Sequence, residues 1–116
     1  MMIDRTPAHL TDMLAFGREL RSIIGTTPLN ACRGQRVLNL AVEKLLINLG
    51  EAAQRVPEAE RPNLAVVPWR QIIGLRNILA HGYEQVDHET LHRTVTTELA
   101  HVEVALIRHL AGGDMV

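Results

Sequence analysis

Long stretches with a helical hydrophobic period alternate along this chain with short stretches that have none. The clearest period runs from Leu38 through Val42, Leu45, Leu49 and Ala52 to Val56. These steps of four and three hold one face of a helix for about five turns. Lys44, Asn48, Glu51 and Arg55 form a polar strip elsewhere on the same helix. An earlier segment opens at Thr6-Pro7, a capping residue followed by proline at the first helical position. Its Leu10, Met13, Leu14, Leu20, Ile23 and Ile24 keep helical spacing, and Gly25-Thr26-Thr27-Pro28 ends it. A third segment starts near Pro68 and runs to Tyr83, with Ile72, Leu75, Ile78 and Leu79 on one face. The fourth follows Asp87, an N-cap residue. It repeats Leu91, Val95, Leu99, Val102, Leu106 and Leu110 until Gly112-Gly113. Residues 57–68 hold three prolines and no period, which predicts a loop. Short connections between amphipathic helices predict an all-α, antiparallel up-and-down bundle of four main helices, one domain over residues 1–116.

Composition narrows the setting. Apolar residues at 47% and charged residues at 22% fit a soluble globular chain. No apolar run approaches the ~18 residues of a membrane span, and MMIDRTPAHL lacks the apolar stretch of a signal peptide. The single cysteine, Cys32, excludes an internal disulfide and points to a reducing, cytoplasmic setting. A net charge of −1 gives no global footprint for nucleic acid, so any RNA site must be local. The basic residues are 11 Arg and one Lys, and Arg grips phosphate bidentately where Lys acts as a point charge.

Two stretches carry candidate chemistry. On the third helix, Arg70, Asn77, His81 and Glu84 gather opposite the apolar face. Arg76 and Tyr83 lie within about 20° of each other, on a flank about 100–140° from His81. Arg76 and His81 therefore reach one ligand only if it lies across the helix, or if a second subunit completes the site. The second stretch, His88-Glu89-Thr90-Leu91-His92, reads H-E-x-x-H, the zincin pattern, with Glu89 as base and a zinc at His88 and His92. Against it, both histidines fall on the arc of Val95, Leu99 and Val102, which directs them to the core seam. The metzincin extension also fails, with Val95 and Glu98 where glycine and the third histidine belong. No metal and no cofactor are therefore expected. Glu51 and Arg55 read most simply as an i, i+4 surface pair, with Glu51 facing Arg76 as the alternative. Cys32 reads as a small buried hydrophobe.

Pro68-Trp69-Arg70, Gly74-Leu75-Arg76-Asn77 and His81-Gly82-Tyr83 together resemble the HepT-like branch of the HEPN domains. These are helical toxins of prokaryotic toxin–antitoxin pairs (type VII HepT/MntA systems). Their motif is Arg, four to six residues, His, then tyrosine two positions later. Ala41-Val42-Glu43 and Gly50-Glu51-Ala52-Ala53 look like the family's second helix, and the likeness covers about residues 38–95. The resemblance implies a metal-independent endoribonuclease with Arg76 and His81 catalytic and Asn77 supporting. It implies a two-fold homodimer in which two Arg–His motifs face each other. It also implies a minimal nucleotidyltransferase (MntA-like) antitoxin that transfers AMP to Tyr83. The alternative is a non-catalytic helical partner of such a nucleotidyltransferase. The residue chemistry suits RNA cleavage. An imidazole with pKa about 6.5 is poised to take the 2′-OH proton, and arginine can hold the scissile phosphate. Asn77, about 40° from His81 round the helix, is placed to orient the imidazole or donate to a phosphate oxygen.

Overall fold

The computed structural model describes residues 3–25, 27–32, 34–81 and 87–112, and every regular element among them is helical. Helix α1 spans Thr6–Ile24 and buries Leu10, Met13, Leu20 and Ile24 on one face. Its start differs from expectation: Thr6 is the first helical residue rather than the cap, and its N–H donates to Asp4 Oδ1 at 3.0 Å. That bond holds the Asp4 carboxyl below the usual carboxylate range. Gly25, at φ 53, ends the helix in a conformation that favours glycine.

A single turn, α2 (Leu29–Cys32), was not signalled by any period and buries Cys32. Helix α3 (Arg36–Arg55) carries the strongest period, and Val42, Leu45, Leu49 and Ala52 are buried along it. Leu38 is half-buried, and Val56 is buried just past the helix end. The stretch expected as a loop contains a 3-10 helix, Glu58–Leu64. Arg61 fastens it by donating to the carbonyls of Val56 (3.2 Å) and Gln54 (3.5 Å) at the open end of α3. Its guanidinium also lies 5.7 Å from the centre of the Trp69 ring.

Helix α4 spans Trp69–His81. The last run comprises α5 (His88–Arg93), a π turn (Thr94–Glu98) and α6 (Leu99–Leu110). Asp87 caps α5, accepting from the Glu89 N–H at 3.0 Å and the Thr90 hydroxyl at 2.7 Å. The π turn keeps three apolar residues on one face. Two apolar steps of four, Leu91 to Val95 to Leu99, overshoot two α-helical turns by about 80°. The wider i→i+5 turn takes up that excess, so all three residues are buried. Thr94 and Thr96 bond back to the carbonyls of Thr90 and His92, at 2.9 and 2.8 Å.

Helix α1 packs on α3 and on α6, and α4 packs on α3. Arg18 and Arg21 of α1 both pair with Glu103 of α6. Among the described residues no helix is long and apolar enough to cross a membrane.

Candidate functional site

Helix α4 carries the candidate residues, and its position is set at two places. At its start, Trp69 Nε1 donates to the Leu64 carbonyl at 3.1 Å, while Arg61 covers the ring. Midway, α4 meets α3 at Gly50. A Cβ placed there would lie 2.2 Å from Arg76 Cβ and 2.8 Å from Arg76 Cγ. Only a residue without a side chain admits this approach, so the cost of glycine within a helix purchases close contact at the candidate arginine.

Arg76 has only 26% of its side chain exposed. Its Nη1 donates to Asn77 Oδ1 at 3.0 Å, and its Nη2 lies 3.5 Å from Glu51 Oε1. Its Nε is buried with no hydrogen-bond partner. One expectation changes here: Glu51 pairs across the helices with Arg76 rather than along α3 with Arg55. The Asn77 carbonyl oxygen accepts from the arginine. His81 is the last residue of α4 and is exposed. Tyr83 lies outside the described residues.

The apolar face of α4 is only partly covered. Ile72 and Leu79 are buried, whereas Ile78 is 46% exposed. Leu46, Leu49, Ile72, Leu75 and Ile78 line an open groove of about 390 Å³. Thr90, Arg93, Thr94 and Glu98 of the last helical run form its other wall. The period groups these residues on one face, but among the described residues no neighbouring helix closes over all of it.

The H-E-x-x-H histidines do not lie in the core seam. His88 is exposed, and the half-buried His92 places Nε2 2.7 Å from the Thr27 carbonyl. A carbonyl only accepts, so Nε2 carries the proton and is engaged in holding α5 to the segment after α1. Among the described residues no three His, Cys, Asp or Glu side chains group to hold a metal ion.

Residues 13–108, from within α1 to near the end of α6, match the family described as "Ribonuclease HepT-like". The chain belongs to the HepT-like family. The HepT-like match includes α3 and α4 whole, and therefore Gly50, Glu51, Arg76 and His81. Among similar proteins, "Putative RNase MJ1380" of Methanocaldococcus jannaschii is 27% identical over 96 residues, covering 83% of this chain and 88% of its own. "Putative RNase TTE0752" of Caldanaerobacter subterraneus subsp. tengcongensis is 33% identical over 67 residues, 58% of this chain and 60% of its own. "Putative RNase MJ1216" of M. jannaschii is 24% identical over 110 residues, 92% of this chain and 91% of its own. No solved structure matches this HepT-like chain.

Proposed function

We propose that this HepT-like chain is a metal-independent endoribonuclease, the toxin of a prokaryotic toxin–antitoxin pair, with Arg76 and His81 as its catalytic residues. The observation that supports it best is the preparation of Arg76. Its guanidinium is held by Glu51 and Asn77 at the surface of α4, five residues before an exposed His81. Neutral His81 accepts the 2′-OH proton, and the freed oxygen attacks the adjacent phosphorus. Arg76 stabilises the charge that builds on the phosphoryl oxygens. The P–O5′ bond breaks, leaving a 2′,3′-cyclic phosphate and a 5′-hydroxyl. The departing oxygen needs a proton, and a two-fold dimer supplies it from the His81 of a second copy. Two arginines in one groove also give local affinity for RNA on a chain of net charge −1.

In this reading a nucleotidyltransferase antitoxin silences the enzyme by transferring AMP to Tyr83. The added phosphodiester brings negative charge that repels the RNA backbone. The deciding experiment incubates purified protein with single-stranded RNA and with DNA of the same sequence, with and without chelator, and maps the product ends. RNA alone is cut, chelator has no effect, and Arg76→Ala and His81→Ala each abolish cutting while the far-UV circular dichroism stays helical. Activity that chelator removes and zinc restores would refute it. Tyr83→Phe stays toxic beside the antitoxin and gains no AMP by intact mass. A Tyr83→Phe protein that the antitoxin still neutralises sinks the modification step alone.

A further inference from the structure

A guanidinium that is to receive a phosphate needs part of its fork fixed by the protein and part left for the ligand. Arg76 shows this division. Its Nη1 and Nη2 each direct one N–H to the protein, at Asn77 (3.0 Å) and Glu51 (3.5 Å), and each has a second N–H to offer a ligand, while Nε is buried. Asn77 adjoins Arg76 on α4 and moves with it. Glu51 is different, because it reaches the guanidinium from α3. Its neighbour Gly50 meets the other end of the same side chain, where a Cβ would stand 2.2 Å from Arg76 Cβ. Successive residues of α3 thus hold the root and the tip of one arginine.

We propose, on the ribonuclease reading above, that Glu51 is a positioning residue, directing the Arg76 guanidinium to the place the RNA phosphate will occupy. A single contact at 3.5 Å with a 37% exposed carboxylate adds little to folding. Its effect is on direction. Arginine has many rotamers, and an anchor on a second helix selects among them before substrate arrives. The selection matters most in the transition state, where charge accumulates on the phosphoryl oxygens, so its loss falls on kcat more than on KM.

The test compares Glu51→Ala and Glu51→Gln with the unaltered protein, by ¹⁵N NMR of the Arg76 guanidinium and by steady-state cleavage of single-stranded RNA. The unaltered protein should show separate Arg76 Nη signals, from hindered rotation. Glu51→Ala should average them and lower kcat by about 100-fold, the scale of an ångström-sized misplacement. KM should change far less. Glu51→Gln keeps an acceptor oxygen at the same reach, so it should restore both the separate signals and most of kcat. Arg76 signals unchanged by Glu51→Ala, or no rescue by Glu51→Gln, overturn the positioning role. If the unaltered protein cuts no RNA, the ribonuclease reading fails separately, and the NMR comparison still decides whether Glu51 orders Arg76.

Discussion

Replacing Gly50 by alanine should destabilise this protein, although glycine to alanine inside a helix ordinarily stabilises by about 1 kcal/mol. The new Cβ would lie 2.2 Å from Arg76 Cβ, 2.8 Å from Arg76 Cγ and 3.1 Å from the Ile72 carbonyl oxygen. Carbon atoms rest at about 3.5–4.0 Å, so the two Cβ atoms must separate by more than ~1 Å. Neither can rotate away, because each is fixed to a helix backbone. Overpacking of this kind costs about 1–3 kcal/mol, sometimes more, and a backbone-anchored clash belongs at the upper end. After the gain in helix propensity, the net loss is about 1–2 kcal/mol, or roughly 4–8 °C in Tm for a chain of this size. Urea and thermal melts followed by circular dichroism measure it, with Gly17→Ala as the control. Gly17 has nothing within 4 Å of an added Cβ, so that variant should gain about 0.5–1 kcal/mol. Gly50→Ala should also cut RNA more slowly, since the displaced atoms belong to Arg76. A Gly50→Ala protein that melts at or above the unaltered one refutes the close approach of α4 to α3.

Gly74 on α4 also has open space at its Cβ, so Gly74→Ala should raise the urea midpoint, by about 0.5–1 kcal/mol in stability. Arg61→Ala removes two bonds to the end of α3 and the cover over Trp69. It should cost about 1–2 kcal/mol and change the emission of the single tryptophan, and an unchanged spectrum and midpoint would count against the clamp. The bond from the Thr90 hydroxyl holds the Asp87 carboxyl below the usual carboxylate range. A depressed folded pKa gives stability that is present above the unfolded value and lost as pH falls through the folded one. Asp87→Asn keeps a capping oxygen but cannot titrate. It should therefore flatten the acid side of the stability–pH curve, and an identical acid limb would disprove the assignment.

The fold is legible where burial of one face forces a spacing. Leu38 to Val56 marks α3 because its steps average the turn of an α-helix. The 3-10 helix is not legible, since Pro62 within it and Pro57 and Pro68 on either side break any period. Spacing says which residues share a face and is silent on what covers that face, which is why Ile78 has a core position in the pattern and is 46% exposed in the fold. Within the site, the order of Arg76, Asn77 and His81 can be read as a motif. The Glu51–Arg76 pair enters only as the alternative to an i, i+4 pair, because it joins positions 25 residues apart and no local rule ranks it first. The available signal is Gly50, a helix-weakening residue inside a strongly periodic helix, where close packing is the usual reason.

The groove beside α4 has a consequence for how firmly the site is held. Among the described elements, α4 has its extensive contact with α3, and open space lies where a second neighbour would be. Amide exchange in α4 should therefore proceed through partial openings of lower free energy than those of α1 or α3, each of which packs on two other helices. Arg76 and His81 thus belong to a segment expected to open before α1 and α3 do. Their local concentration in the assembled site is governed by one helix-to-helix seam, and the remaining helices can stay folded while that seam parts.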